Sequence, residues 1–382
     1  MKSAQVYIHV PFCKRKCEYC DFLSAPMGEE ARDAYVKRLI YEIKNSEWAQ
    51  KGIFVPTVFL GGGTPSLLTG RQIKSIMDTL FTNFEVAEDC EITMEANPGT
   101  VTKESLKAYR EAGINRLSIG LQSANNEELK ALGRIHTYEE FLESYELARE
   151  EGFTNINVDL MSALPYQKIQ TYRETLEKVC ALKPEHISAY SLIVEEGTPF
   201  YEKYREDVAR LERGEDPLVL PSEEEERLMY QDTEAYLKKW GYHRYEISNY
   251  AREGFECRHN KGYWMRYPYL GFGLGASGFT GSIRTKNTAD FKEYMEKEIV
   301  PEREVIDTEA AIEEFMFLGL RMDVGISKEA FLREFHKSIE EVYGEVLSKL
   351  KEETLIFEKD DRIALTPYGR DVSNYVLAMF LR

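Results

Sequence analysis

Short apolar segments alternate with helical patterns along the first half of the chain. Each apolar segment is nearly continuous, which is typical of parallel strands that are buried on both faces. Six of them predict strands, over residues 6–10, 57–60, 91–95, 116–120, 155–161 and 186–194. The stretches between them repeat apolar residues at helical spacing. They predict helices over residues 31–48, 71–84, 104–112, 138–151 and 171–182.

This succession of strands and helices predicts an α/β fold with a parallel sheet and right-handed crossovers. A complete eight-unit barrel takes roughly 250 residues, whereas these six units end near residue 194. We therefore expect an incomplete (β/α)6 barrel in a domain over residues 1–240. A flat, doubly wound sheet is the alternative.

The pattern changes after the sixth predicted strand. Residues 201–226 are charged and contain two prolines, which predicts an exposed connection into a helix over 223–240. Residues 241–300 form an aromatic-rich segment. Residues 301–382 then show three helical patterns, a hairpin around the turn 359–362 and a last helix with Val372, Tyr375, Val376, Met379 and Phe380 on its buried face. This order predicts a small winged-helix-like α+β domain.

The chain of 382 residues has a formal net charge of −17. Sequence-independent binding of nucleic acid needs a basic surface, so we expect no nucleic acid as a partner. Six cysteines are too few for a disulfide framework in a chain of this length. There is no signal-peptide pattern and no apolar run of the ~20 residues that a membrane span needs. We expect a cytoplasmic protein that meets membranes only through its partners.

Residues suited to binding follow the predicted strands, at their carboxyl ends. Because these ends of parallel strands share one edge of the sheet, we expect the side chains to meet there. The set comprises Cys13, Cys17, Cys20, Gly62, Gly63, Thr64, Glu95, Gln122, Arg134 and Asp159. Taken singly, such residues are often turn glycines, helix caps or surface ion pairs. Their joint placement at one rim favours a binding site.

The three cysteines of this set have C-x3-C-x2-C spacing within one short loop. A structural zinc ion takes four ligands, usually from two separated pairs, and a disulfide would leave one thiol over. A 4Fe–4S cluster held by three thiolates keeps one iron open for a substrate or cofactor. The spacing is compatible with such a cluster. A zinc site would lack its fourth ligand, and a disulfide would leave one cysteine unpaired.

Five motifs in fixed order resemble those of a known family. They are Y-x-H-x-P-F-C-x3-C-x2-C from Tyr7, then GGGTP, E-x-N-P, G-x-Q-S and D-L-x-x-x-L-P. This series resembles the radical S-adenosylmethionine (SAM) proteins of the group similar to oxygen-independent coproporphyrinogen III oxidase. The resemblance implies that the three cysteines hold a 4Fe–4S cluster whose open iron binds SAM, with an external electron donor. It implies SAM contacts from Tyr7, Gly62 and Glu95, and a second SAM position at Gly63, Thr64, Gln122, Arg134 and Asp159.

One feature departs from the oxidases, and both it and a second feature match the HemW subgroup. The oxidases carry a further cysteine two residues after the third, where this chain has Phe22. The subgroup also has an H-N-x-x-Y-W element, which stands here at residues 259–264. HemW proteins are regarded as haem chaperones, so the resemblance implies haem binding and transfer to recipient proteins. The residues implied in haem contact are His259, Asn260, Tyr263 and Trp264.

Three alternatives stay open at this point. The first is radical oxidative decarboxylation of coproporphyrinogen III, and the second is radical SAM chemistry on another substrate. The third concerns only His259, since a histidine among aromatic residues is often a buried, hydrogen-bonded core residue. No catalytic residue is assigned from the sequence.

Overall fold

Six strands that follow each other in the chain lie side by side, all parallel, in the computed structural model, which describes residues 1–382. They are β1 (Gln5–Val10), β2 (Phe54–Gly62), β3 (Glu85–Ala96), β4 (Arg116–Gln122), β5 (Ile156–Ser162) and β6 (His186–Ser191). Each coincides with a predicted strand. Alternate apolar residues of these strands, such as Leu117, Ile119 and Leu121 of β4, join one core cluster of 50 buried residues. The opposite face of the strands is also buried but includes polar side chains such as Arg116 and Ser118.

Ten α-helices belong to the first 300 residues. They are α1 (Glu29–Asn45), α2 (Gly70–Asn83), α3 (Lys103–Glu111), α4 (Asn126–Ala131), α5 (Tyr138–Glu150), α6 (Ile169–Leu182), α7 (Pro199–Glu212), α8 (Glu223–Lys239), α9 (Arg258–Trp264) and α10 (Phe291–Glu296). A single 3-10 turn spans Pro65–Leu67. Thr69, Thr102 and Thr137 begin α2, α3 and α5, where each threonine accepts a hydrogen bond from a backbone N–H of the first turn.

The sheet does not close into a barrel. The full order of its twelve strands is β12-β11-β10-β9-β1-β2-β3-β4-β5-β6-β8-β7. The six additional strands are β7 (His243–Arg244), β8 (Asn249–Ala251), β9 (Tyr269–Phe272), β10 (Ser277–Phe279), β11 (Ile283–Lys286) and β12 (Glu302–Val305). Since β1 and β6 pair with β9 and β8 rather than with each other, the incomplete barrel is confirmed.

The segment 241–300 contains strands that the sequence analysis does not predict. They extend both edges of the barrel sheet, and β9 pairs parallel with β1 in the register Gln5↔Tyr269 to Ile8↔Phe272. Its strands have two to four residues, too few for a period of two to be recognised in the sequence.

The charged connection over 201–226 also differs, because it contains helix α7. Asp207 on this helix is buried and accepts hydrogen bonds of 2.8 Å from the backbone N–H groups of Leu218, Val219 and Leu220. A carboxylate that satisfies three backbone donors fixes the loop after the helix. The high charge of this segment predicted an exposed connection, whereas the structure has an ordered helix and loop there.

The C-terminal domain has its own core of 15 buried residues and its own sheet, in the order β13-β15-β14. Its elements are α11 (Thr308–Gly319), β13 (Ile326–Ser327), α12 (Lys328–Phe335), α13 (Ile339–Glu352), β14 (Ile356–Lys359), β15 (Arg362–Leu365), α14 (Pro367–Asp371) and α15 (Ser373–Ala378). Three helices with a small antiparallel sheet confirm the winged-helix-like prediction.

The last predicted helix of this domain differs from the structure. The chain turns at Val372, so the predicted last helix is two short helices. Val376 and Phe380 are fully buried as predicted, whereas Tyr375 is exposed, with its hydroxyl donating to Glu353. No helix of the structure combines the length and the apolar composition that a membrane span requires.

Candidate functional site

A cavity of about 340 Å³ opens at the carboxyl ends of β1 to β6. Ten of the predicted site residues line it: Cys13, Cys17, Cys20, Gly62, Gly63, Thr64, Glu95, Gln122, Arg134 and Asp159. They come from five strands and the loops that follow them. These residues therefore meet at one edge of the sheet, as expected for side chains that follow the carboxyl ends of parallel strands.

The cysteine loop is held at the cavity by the strand that precedes it. Cys13 donates its backbone N–H to Ala25 at 3.2 Å, and the His9 ring nitrogen Nε2 lies 2.8 Å from the carbonyl oxygen of Leu23. Cys13, Cys17 and Cys20 are free thiols that are half-buried. No three His, Cys, Asp or Glu side chains are grouped around a point that would suit a single metal ion. Three thiols from one loop match the ligand set of a 4Fe–4S cluster with one open iron, whereas a tetrahedral zinc site needs a fourth ligand.

Two glycines let the end of β2 approach this loop. Gly62 has a φ of +114°, and a Cβ at this position would lie 2.5 Å from the His9 ring. A Cβ on Gly63 would lie 2.6 Å from the backbone oxygen of Phe12. A side chain at either position would clash with its neighbours, and Gly62 also has a backbone conformation that favours glycine. The backbone itself therefore forms the cavity wall next to the cysteines.

Arg134 connects the cysteine loop with the strand ends. Its Nη2 donates to Asn97 Oδ1 at 2.8 Å and to the carbonyl oxygen of Gly120 at 2.6 Å. Asn97 donates in turn to Thr64 Oγ1 at 2.8 Å, and Thr64 Oγ1 lies 3.5 Å from Cys13 Sγ. This network makes Asn97 a site residue that the sequence interpretation missed. Its position in the E-x-N-P motif was the available signal.

Two buried polar atoms in the cavity have no hydrogen-bond partner. They are Nε of Arg134, a donor, and Oε1 of Gln122, an acceptor. Gln122 also has a φ of +74°, an unusual conformation for a residue with a side chain. Unpartnered buried polar groups are costly unless a ligand satisfies them. A zwitterionic amino acid group such as that of SAM supplies both an acceptor for Arg134 and a donor for Gln122, so these residues fit the cofactor.

Two carboxyl groups lie on the same cavity. Glu95 accepts a hydrogen bond from the Gly62 N–H at 3.0 Å, and burial, followed by the charge of Asp159, raises the pKa of Glu95 to about 8. Asp159 accepts hydrogen bonds from Asn157 and Ser118 at 2.8 and 3.1 Å, and burial raises its pKa as well. Both shifts disfavour the charged form of these carboxyl groups. A cationic ligand would stabilise them, as the sulfonium and ammonium groups of SAM would.

Tyr7 is the only predicted SAM residue that does not line the cavity. Its hydroxyl lies 3.0 Å from His9 Nδ1, and its ring stacks on Phe59. Burial, with Glu95 second, raises the pKa of Tyr7 far above its usual value. In the structure the Tyr7 hydroxyl orients the ring of His9, which lies next to Gly62. Direct contact of Tyr7 with SAM stays a prediction.

The H-N-x-x-Y-W element forms helix α9, away from the cavity. The His259 ring is enclosed, with Nδ1 2.8 Å from Thr57 Oγ1 and Nε2 3.0 Å from the Tyr263 hydroxyl. Thr57 precedes Gly62 on β2, which places α9 towards the amino ends of the strands. Burial, followed by the charge of Arg116, lowers the pKa of His259 to about 3. Both ring nitrogens are engaged, so haem ligation by His259 stays a prediction that requires this helix to rearrange.

The remaining residues of the element support the same placement. Trp264 lies under the guanidinium of Arg321 at 4.4 Å, next to the C-terminal domain, and Asn260 is half-buried. None of the four predicted haem residues lines the cavity at the cysteine loop. The neighbouring Cys257 is fully buried, with Sγ 3.5 Å from Glu91 Oε1. It is a buried thiol of the core.

Comparison with known proteins places this fold and cavity in a family. Residues 7–179 match the Radical SAM superfamily and residues 306–372 match the HemN C-terminal domain. The heme chaperone HemW of Bacillus subtilis is 38% identical over 100% of this chain and 99% of its own length. HemW of Escherichia coli is 36% identical over 98% of this chain and 97% of its own length.

A solved structure shows the same fold. Coproporphyrinogen III oxidase (HemN) from Escherichia coli, a radical SAM enzyme, superimposes with a TM-score of 0.84 over 99% of this chain and 90% of its own. At 24% identity this likeness is one of fold alone. The curated relatives, by contrast, match the chain from end to end at more than a third of positions. The chain therefore belongs to the HemW family of radical SAM proteins.

Proposed function

We propose that this protein is a haem chaperone, which binds haem and passes it to recipient proteins. The observation that carries the proposal is the residue beyond the cysteine triad. Phe22 is exposed on the rim of the cavity, where the oxidases have a further cysteine. An exposed aromatic ring cannot replace a thiol in redox or ligand chemistry, but it suits contact with a flat apolar macrocycle.

Members of the radical SAM family carry a 4Fe–4S cluster and SAM. The bound cluster would supply one electron for reductive cleavage of a sulfonium C–S bond. Cys13, Cys17 and Cys20 would hold the cluster through their sulfur atoms. Gly62 and Glu95 would bind the methionine ammonium, because it needs carbonyl and carboxylate acceptors.

The other half of the cavity offers groups that suit a carboxylate and a ribose. The Arg134 guanidinium would bind a carboxylate through its free Nε, and Asp159 would accept from ribose hydroxyls. With Gly63, Thr64 and Gln122 they form the part of the cavity that would take a second SAM. In the chaperone the bound cofactor would order the cysteine loop through Arg134 and Thr64, which contact two of the sulfur atoms.

The partners that this function requires are a haem source, haem-recipient proteins and an electron donor for the cluster. The acidic chain, with its net charge of −17, does not favour nucleic acid. We place the protein in the cytoplasm, where thiols stay reduced for cluster assembly. Contact with membranes would come through membrane-bound recipients.

The test is haem binding and transfer by protein reconstituted anaerobically with iron, sulfide and SAM. We expect saturable haem binding by absorbance, and appearance of the spectrum of a holo-recipient when an apo haem protein is added. The control is the triple variant Cys13→Ala/Cys17→Ala/Cys20→Ala, which separates the role of the cluster from that of the polypeptide. Absence of haem binding by the reconstituted protein would contradict the proposal.

A further inference from the structure

The rim of the cavity combines apolar and basic side chains. Phe22 and Tyr190 are 62% and 40% exposed although both line the cavity. Ile193, two residues after the end of β6, is 68% exposed. Large apolar side chains exposed together at the mouth of a cavity indicate a surface that a ligand or partner covers.

The basic part of the rim is the run Lys14-Arg15-Lys16 inside the cysteine loop. All three side chains are exposed, and Lys14 donates only to the carbonyl oxygen of Gly99. Arg15 and Lys16 line the cavity, and neither forms an ion pair with any of the 66 acidic residues of this acidic chain. Three adjacent cations without carboxylate partners leave a local positive surface that would attract an anion.

We propose, on the basis of the chaperone function above, that haem docks across the mouth of this cavity. The macrocycle would lie on Phe22 and Tyr190, and its propionates would pair with Arg15 and Lys16. Haem matches the rim because it is a flat apolar molecule with two carboxylates on one edge. Aromatic faces stack on such a ring, and a guanidinium binds a carboxylate through two parallel hydrogen bonds.

The position of the H-N-x-x-Y-W element supports this choice. The His259 ring is enclosed and both of its nitrogens are hydrogen-bonded, so haem would have to open the base of the barrel to reach it. The cavity mouth needs no such rearrangement. Haem at the mouth would also cover the loop of Cys13, Cys17 and Cys20, so the cluster and SAM would lie beneath the cargo.

The test uses exposed residues, so the variants should fold. Arg15→Glu/Lys16→Glu reverses the basic rim, and Phe22→Ala removes the aromatic surface. Matched controls are Lys238→Glu/Lys239→Glu, two adjacent exposed lysines on α8, and Phe357→Ala, an exposed aromatic residue on β14. Each reconstituted protein is titrated with haem and with haem dimethyl ester, which has the same macrocycle without the carboxylates.

We expect the charge-reversal variant to weaken haem binding by roughly tenfold, because two surface ion pairs become repulsive. It should bind the dimethyl ester as the unmodified protein does. Phe22→Ala should weaken both ligands equally, and both controls should leave both affinities unchanged. Bound haem should also slow SAM release in the unmodified protein.

Two outcomes would contradict the proposed haem site. Unchanged haem affinity in both rim variants, together with loss of affinity in His259→Ala, would overturn the mouth site and move haem to helix α9. That outcome would leave the chaperone function intact. If the unmodified protein bound no haem at all, the chaperone function and the mouth site would both be wrong.

Discussion

The guanidinium of Arg134 lies against the sulfur of Cys17, with Nη1 as donor at 3.6 Å. The same side chain is held by Asn97 and by the carbonyl oxygen of Gly120. One residue therefore joins a proposed cluster ligand to the carboxyl ends of the neighbouring strands. Cofactor binding and the geometry of the cysteine loop should depend on each other through this contact.

Arg134→Lys tests this dependence. Lysine keeps the charge but cannot donate to Asn97, Gly120 and Cys17 from one planar group. We expect SAM affinity to fall by about tenfold or more, and we expect the reconstituted cluster to lose iron faster. Equilibrium dialysis with SAM and timed iron release measure the two effects. Arg173→Lys, which alters a surface ion pair with Asp232, is the control, and equal behaviour of the two variants would refute the link.

Single alanine variants of Cys13, Cys17 and Cys20 test the ligand set. Each should fail to retain a stable cluster, because two thiolates hold it less firmly than three. Iron and sulfide content after anaerobic reconstitution measures this. Cys180→Ala changes a fully buried thiol in the same core and should keep its cluster. A single-site variant with full iron content would remove that cysteine from the set.

Glu95→Gln should have opposite effects on stability and on SAM binding. The Glu95 pKa of about 8 in the folded protein exceeds its value of 4.5 in the unfolded chain. Between these values the folded state holds a proton that the unfolded state has released, so stability decreases as pH rises through this window. Glutamine stays neutral, so the variant should be more stable than the unmodified protein above pH 8 and similar to it below pH 4.5.

The same substitution removes an acceptor for the SAM ammonium. For the unmodified protein, SAM affinity should rise with pH up to about 8, because the cation binds the ionised carboxylate. In Glu95→Gln this rise should be much reduced and affinity should be lower throughout. Thermal unfolding of the cluster-free protein and SAM titrations at pH 6 and 8 give both readouts. An unchanged pH dependence of SAM binding would show that another group binds the ammonium.

His259→Ala tests whether this histidine is part of the folded core. The change removes two buried hydrogen bonds and leaves Thr57 and Tyr263 without a partner. We expect the free energy of unfolding to fall by about 2–4 kcal/mol, measured by denaturant titration of the cluster-free protein. His243→Ala, on an exposed histidine that pairs with Glu256, is the control. Loss of haem binding with unchanged stability would instead support direct haem contact.

The sequence predicted the centre of the fold because β1 to β6 and the long helices carry strong periodic patterns. It also placed the residues of the cavity, since the carboxyl ends of parallel strands meet at one rim. It did not show β9 joining β1, because a strand of four residues has no measurable period. The enclosure of His259 depends on Thr57, 202 residues away, and no local pattern contains that contact.

One experiment separates haem delivery from porphyrinogen chemistry most directly. The reconstituted protein, with SAM and reductant, is given haem and an apo haem protein in one reaction, and coproporphyrinogen III in another. A haem chaperone should load the recipient with haem and leave coproporphyrinogen III unconverted. Formation of protoporphyrinogen without haem transfer would contradict haem delivery and assign the protein to the oxidases.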